Sequence, residues 1–180
     1  MKIVNTSPAV SAVTLAEAKS HCRIYDDDED PAVDRMGLAA TYEFEAQAQI
    51  APLTRTVTLR LDGWPADGRI LLPVGPVLDG ASATVTADGE AVTGLELLPG
   101  RYGELRLSGG VTAELAAAEI VIEYPAGYGA NESDVPADIR HAILDQVAAL
   151  YDMRGAPSGR EMAVSPHLLR IAAKARGVRI

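Results

Sequence analysis

The sequence predicts an α+β fold in which N- and C-terminal helices pack together around an inserted antiparallel β-module, followed by a C-terminal tail helix. Two patterns lead to this prediction. Near both ends of the chain, apolar residues recur every three or four positions, which is typical of a helix with one buried face. Between residues 53 and 125, apolar and polar residues alternate instead, and turn signals separate the runs, which is typical of short antiparallel strands.

The first helix is predicted over residues 14–23. It begins with a capping box, in which the Thr14 hydroxyl and the Glu17 carboxylate each accept a hydrogen bond from an otherwise unpaired backbone N–H group. The acidic run at 26–30 follows directly and ends the helix, because like charges at helical spacing repel one another.

A second, longer helix is predicted over residues 31–51. Asp30 is placed to cap it and Pro31 occupies its first position, where a missing N–H group costs nothing. Pro52 ends it, since the residue before a proline resists helical backbone angles. One apolar stripe runs along this helix and consists of Val33, Met36, Ala40, Phe44 and Ala48.

The β-module opens with a strand in which Val57, Leu59 and Leu61 point to one face. Further short apolar runs lie between Asp-Gly, Pro-Gly and Gly-Gly turns, at 69–73, 81–86, 95–98, 103–107 and 119–124. No stretch of helix length separates these runs, which argues against a parallel dinucleotide-binding sheet. The module is therefore predicted to be an antiparallel sheet or a small sandwich.

The helical period returns over residues 134–154, where Ser133 or Asp134 is predicted to cap a third long helix with Pro136 in its first turn. A loop then leads to a short helix at about 166–176. We expect residues 1–155 to form the main domain and residues 156–180 to form a C-terminal tail segment.

Gly127-Tyr128-Gly129 raises the alternative of a phosphate-binding loop. A dinucleotide fingerprint requires a third glycine where Glu132 stands, and the nearby acidic residues would repel a phosphate. A structural turn between a strand and a helix explains the two glycines better.

Other signatures of catalysis are missing from the sequence. It contains no G-x-S-x-G nucleophile elbow and no Cys-x-x-Cys pair, and its three histidines have no metal-like spacing. Cys22 is the only cysteine, so an intramolecular disulfide is excluded and a buried, inert thiol is expected. We predict no catalytic residue, metal or cofactor. The remaining catalytic alternative is a small hydrolase that uses the carboxylates of 26–30. The same run is not predicted to be a calcium site, because it lacks the glycine and the final glutamate of a calcium-binding loop.

The net charge of −9 argues against a dedicated nucleic-acid-binding protein. From residue 154 onward, however, six basic residues stand against one acidic residue. Such a tail fits either an acidic partner surface or a solvated terminus.

No apolar run is long enough for a signal peptide or a membrane span, so the chain is expected to be cytoplasmic when synthesised and to have no membrane partner.

Two stretches together resemble the head–tail connector (adaptor) proteins of tailed bacteriophages and gene transfer agents. The first follows the family's V-T-L-x-E-A-K-x-H-x-R opening at Val13, Thr14, Leu15, Glu17, Ala18, Lys19, His21 and Arg23. The second follows its Y-x-A-G-Y-G, V-P-x-x-I-R-x-A-I and Y-x-x-R pattern at Tyr124, Ala126, Gly127, Tyr128, Gly129, Val135, Pro136, Ile139, Arg140, Ala142, Ile143, Tyr151 and Arg154. The chain departs from the family at Cys22, where leucine is usual, and at residues 48–56.

The resemblance implies a structural protein and not an enzyme. Members form a ring of about twelve identical subunits beneath the portal protein. The ring extends the DNA channel, lets DNA pass without specific binding, and offers a platform for a stopper or tail-completion protein. The family's C-terminal segment docks on the portal, which implies a portal-binding role for Arg170, Lys174, Arg176, Val178 and Ile180. A stopper or tail-completion protein of the same neck is the alternative, although such proteins usually lack two helices that bracket a β-module.

Overall fold

A computed structural model describes residues 2–5, 10–154 and 164–176. The chain forms two compact units, each assembled from separate stretches. The β-unit comprises Met1–Pro8 and Thr54–Tyr128, and the helical unit comprises Ala9–Leu53 and Gly129–Ile180. Val178 and Ile180 lie outside the described residues.

Within the described residues, the helices in chain order are α1 (Leu15–Cys22), α2 (Asp30–Ala48), α3 (Ala113–Ala117), α4 (Ala137–Met153) and α5 (Pro166–Arg176). The strands are β1 (Lys2–Asn5), β2 (Arg55–Asp62), β3 (Arg69–Leu71), β4 (Thr84–Ala87), β5 (Glu90–Ala91), β6 (Leu95–Leu98), β7 (Glu104–Leu107) and β8 (Glu119–Ala126). These elements confirm the predicted α+β class. None of the helices in these stretches is both long enough and apolar enough to cross a membrane.

The β-unit contains two antiparallel sheets, with strand orders β1-β2-β8-β4-β5 and β3-β7-β6. Its longest pairing joins β2 to β8, with Val57 opposite Tyr124 and Leu59 opposite Ile122. These four side chains are buried, because alternate residues of a strand share one face. The buried Tyr124 hydroxyl makes two hydrogen bonds to Val74. It donates one to the Val74 carbonyl oxygen at 3.1 Å and accepts one from the Val74 N–H group at 3.2 Å.

The predicted strands of the β-module are present, and three further elements were not foreseen. They are β1, β5 and α3. The first two are too short to show a clear alternation of apolar and polar residues, and β1 is held by its pairing with β2, some fifty residues further along the chain. The five-residue α3 depends on a local cap, in which the Thr112 hydroxyl accepts a hydrogen bond from the Leu115 N–H group.

The helical unit brings α2 and α4 together, as the sequence predicts. Its α1 helix packs against both, and α5 packs against α2 and α4 as well. Phe44 on α2 and Ile143 on α4 are fully buried, as is Leu168 on α5. This arrangement differs from the expected domain division in two places, because residues 2–5 join the β-unit and α5 is part of the helical unit rather than a separate tail.

The capping predictions have mixed outcomes. The Thr14–Glu17 capping box of α1 is confirmed. Asp30, however, is the first helical residue of α2 and Glu29 is its N-cap, because the Asp30 carboxylate pairs with Lys19. The prediction that Ser133 or Asp134 caps the third long helix is also wrong. Pro136 is the N-cap residue of α4, and Asp134 instead completes a short 3-10 turn over Glu132–Asp134.

The glycines around Tyr128 are explained by local backbone geometry. Gly127 has φ of 141°, a region that favours glycine, and its N–H group donates to the Pro76 carbonyl at 2.9 Å. At Gly129, an added Cβ atom would overlap Cβ of Asp134. The Asp134 carboxylate accepts a hydrogen bond from the Asn131 N–H group, so this acidic side chain is fixed beside the turn. These contacts agree with the interpretation of a structural turn.

Replacing Gly129 with alanine should therefore destabilise the protein by about 1–3 kcal/mol, because the new methyl group overlaps an atom close to the backbone that cannot rotate away. The free energy of unfolding from denaturant titration measures the effect. In an Asp134→Gly background the same substitution should cost much less, since the overlapping side chain is gone. An equal cost in both backgrounds would contradict the steric explanation.

Candidate functional site

The α5 helix carries three of the five residues that the family resemblance assigns to portal binding. Its buried face consists of Leu168, Ile171, Ala172 and Ala175. Arg170, Lys174 and Arg176 are exposed, as the helical period requires when the opposite face packs inward. The structure thus places these three side chains on one short, basic helix.

The three basic side chains of α5 differ in their surroundings. Lys174 forms an ion pair with Asp138 of α4, with Nζ 2.9 Å from Oδ2. The hydrogen bond from Lys174 is the main cause that lowers the pKa of Asp138. Arg170 is exposed and makes no salt bridge within the described residues.

A buried glutamine fixes the start of α5. Gln146 of α4 is 1% exposed, and its side-chain oxygen accepts a hydrogen bond from the Ser165 N–H group at 2.6 Å. It also hydrogen-bonds to Glu43 of α2, whose pKa is raised by burial and only partly lowered by this bond. One amide side chain therefore connects α2, α4 and the first turn of α5.

The acidic run at 26–30 is engaged mainly in ion pairs. Lys19 binds both Asp27 and Asp30 at 2.5 Å. Glu29 binds the Arg154 guanidinium, and the Tyr151 hydroxyl donates to its other oxygen, each at 2.5 Å. These contacts tie the start of α2 to α1 and to the end of α4.

The spacing of the three histidines in the sequence does not group them, yet the structure brings them to one aspartate. His21 lies in the last turn of α1, His141 and Asp145 lie one turn apart on α4, and His167 lies in the first turn of α5. His21 Nε2 is 3.0 Å from Asp145 Oδ1, and His167 Nδ1 is 2.5 Å from Asp145 Oδ2. His141 Nε2 lies 3.9 Å from Asp145 Oδ1. We call these four residues the histidine–aspartate cluster.

The cluster is compact and partly screened from water. The ring centroids of His21 and His141 are 5.5 Å apart and those of His141 and His167 are 5.4 Å apart, both in edge-to-face geometry. Burial raises the pKa of Asp145, but the hydrogen bond from His167 and the nearby imidazoles outweigh burial and hold that pKa below its usual value. Only the pairing of His141 with Asp145 four residues later could have been read from the sequence.

Cys22 behaves as expected for an inert thiol. It is half-buried, and its pKa is raised first by burial and then by the negative charge of Asp152. A raised pKa keeps the sulfur protonated at neutral pH and therefore weakly nucleophilic.

The comparisons with known proteins identify related structures but no sequence relatives. No family model matches the sequence, and no curated protein matches it. The chain is similar to a chain in the neck of an empty gene transfer agent particle computed with C6 symmetry, at 23% identity and a TM-score of 0.83. This similarity covers 100% of the present chain and 97% of the neck chain. It is similar to a chain in the virion of a native gene transfer agent particle at 25% identity and a TM-score of 0.79, with the same coverage. A third match, again with this coverage, is to a chain in the neck of a native particle computed with C12 symmetry, at 20% identity and a TM-score of 0.75.

Glu29 offers a test of the ion pairs at the start of α2. The hydrogen bond from Arg154, followed by that from Tyr151, lowers the pKa of Glu29 in the folded protein. A lowered pKa contributes stability that is fully present above the unfolded value of about 4.3 and is lost as pH falls through the folded value. Glu29→Gln should therefore be less stable than the parent protein at pH 7, and the gap should stay constant down to about pH 5 and close at lower pH.

Denaturant titrations between pH 3 and pH 7 measure this gap. Asp28→Asn is the matched control, since Asp28 lies in the same run, is exposed and forms no salt bridge within the described residues. A gap for Glu29→Gln that persists unchanged at pH 3 would show that its carboxylate charge does not stabilise the fold.

The similarity to these solved structures extends over the whole chain and therefore includes both stretches that carry the sequence resemblance. At 25% identity or less, such a likeness establishes the fold. The chain thus has the fold of chains found in gene transfer agent necks, which confirms its resemblance to head–tail connector proteins.

Proposed function

We propose that this chain is a structural adaptor in the neck of a phage or phage-like particle, where it joins the head to the tail. The observation that carries the proposal is the likeness, over the whole chain, to chains in the neck of gene transfer agent particles. The connector motifs at both ends of the sequence support it independently, because they lie on α1 and α4 and on the turn before α4.

The adaptor acts as a ring of identical copies seated beneath the portal protein. The related necks were computed with C6 and C12 symmetry, which is consistent with about twelve subunits around the channel axis. Cyclic rings are built from head-to-tail contacts between two different surfaces of the same subunit. A stopper or tail-completion protein is the expected partner on the opposite side of the ring.

The charge of the chain suits a channel through which DNA moves. A net charge of −9 disfavours the many lysine and arginine contacts to phosphates that hold a bound duplex in place. DNA therefore passes the ring without specific binding.

The basic face of α5 is the proposed docking surface for the portal, together with Val178 and Ile180. Arg170 is its most informative member, since Lys174 already pairs with Asp138 and supports the packing of α5 on α4. An exposed arginine can form bidentate hydrogen bonds to a carboxylate of a partner. We infer that Arg170 meets an acidic group of the portal.

The two alternative functions receive less support. A stopper protein usually lacks a pair of long bracketing helices, whereas α2 and α4 span 19 and 17 residues and pack together. A hydrolase would need two carboxylates free to act as acid and base. Within the run at 26–30, Asp27, Glu29 and Asp30 instead bind Lys19, Arg154 or Tyr151. The two remaining carboxylates, Asp26 and Asp28, are exposed to solvent.

Arg170→Glu should weaken binding to the purified portal at least about tenfold, because a reversed charge places two carboxylates opposite each other. Arg35→Glu is the matched control, as Arg35 is an exposed arginine on α2 and the change in net charge is the same. Both variants should keep the helical circular-dichroism spectrum of the parent. Unchanged portal affinity for Arg170→Glu would remove Arg170 from the docking surface.

Electron microscopy of the assembled particle tests the function itself. We expect density for this chain in a ring directly beneath the portal, with one subunit repeated around the axis. A particle whose neck lacks this chain, or contains it as a single copy, would contradict the adaptor proposal whatever the result for Arg170.

A further inference from the structure

The histidine–aspartate cluster collects metal-binding chemistry from three helices. All three histidines of the chain, which are 120 and 26 residues apart in sequence, converge on Asp145. The donor atoms of His21, His141 and Asp145 all lie within 4.8 Å of one another. No other group of three such residues within the part of the chain that the structure describes shares this geometry.

The spacing of these atoms suits one ion. Zinc binds imidazole nitrogen at about 2.0–2.1 Å and carboxylate oxygen at about 2.0–2.2 Å, which places tetrahedral ligand atoms about 3.3 Å apart. His21 Nε2 and His141 Nε2 lie 3.0 and 3.9 Å from Asp145 Oδ1, on either side of that value. The His141 side chain is 59% exposed, so a small rotation can bring it inward at little cost.

His167 provides the support that a ligating carboxylate requires. Its Nδ1–H group donates to Oδ2 of Asp145, whereas His21 Nε2 lies against Oδ1. A hydrogen bond of this kind fixes the orientation of the carboxylate and leaves Oδ1 directed at the two remaining imidazoles. Substitution of such supporting residues typically weakens metal binding by about 10- to 100-fold.

An ion can reach these donors from solvent. The side chains of His21 and Asp145 are 25% and 29% exposed, so the site is neither sealed nor fully open. His21 also lines a surface groove together with Glu17, Ser20 and Leu144. Water from this groove can complete the coordination of an ion that takes three ligands from the protein.

We propose that His21 Nε2, His141 Nε2 and Asp145 Oδ1 bind one divalent transition-metal ion, with zinc as the best match and His167 as a positioning residue for the carboxylate. Two imidazole nitrogens select against magnesium and calcium, which prefer oxygen ligands. A metal ion on His21 Nε2 takes the place of the hydrogen bond between this nitrogen and Asp145. The proposed ligands lie on α1 and α4, and the positioning residue His167 lies on α5. The bound ion therefore holds the three helices together.

Titration of the tag-free, chelator-treated full chain with Zn²⁺ tests the site. Calorimetry should give one ion per chain, and Zn²⁺ should raise the melting temperature. Co²⁺ should bind at the same site and produce the visible absorption of a low-coordinate nitrogen and oxygen environment. His141→Ala, at an exposed position, should keep the fold and weaken Zn²⁺ binding at least about tenfold.

Asp138→Asn is the matched control. It removes a carboxylate from the same helix, and with it the ion pair between α4 and α5, without touching the cluster. We expect its Zn²⁺ affinity to equal that of the parent chain. Absence of Zn²⁺ binding, Zn²⁺ binding that His141→Ala leaves unchanged, or equal loss in Asp138→Asn would each overturn the proposal.

Discussion

The helical unit depends on two neighbouring polar residues of α4. Asp145 accepts hydrogen bonds from His21 of α1 and His167 of α5, and Gln146 bonds to Glu43 of α2 and to the backbone at the start of α5. A buried polar group without a partner costs about 1–3 kcal/mol, so these contacts favour the observed arrangement of the surrounding helices. The apolar residues of the same helices stabilise the unit, while this polar pair selects how the helices are arranged.

That selection matters for an adaptor. The apolar contacts of α5 involve alanines and branched aliphatic residues, which would pack nearly as well after a slide or a rotation of the helix. Bonds from Ser165 and His167 to α4 fix its first turn, and the Lys174–Asp138 pair fixes a later one. The exposed basic face of α5 is thereby held in a defined direction, which a docking surface repeated around a ring requires.

The sequence was informative wherever structure follows from local periodicity. It placed α5 at residues 166–176 and predicted the strand that carries Val57 and Leu59, because helical and alternating patterns are visible within a few residues. It failed at the cap of α2, where Asp30 binds Lys19 instead of the helix end, since that choice depends on a tertiary neighbour. The histidine–aspartate cluster was missed for the same reason: the helix pairing that unites His21 with Asp145 spans 124 residues and has no local signature.

The position of β1 bears on the order in which the chain folds. Its partner β2 begins only after α1 and α2 have been traversed, so this pairing closes a loop of about fifty residues and carries a correspondingly large entropic cost. The α1–α2 hairpin needs only short-range closure and forms sooner. During synthesis the first strand therefore waits unpaired until β2 has emerged, and β2 itself meets its second neighbour, β8, only after residue 119.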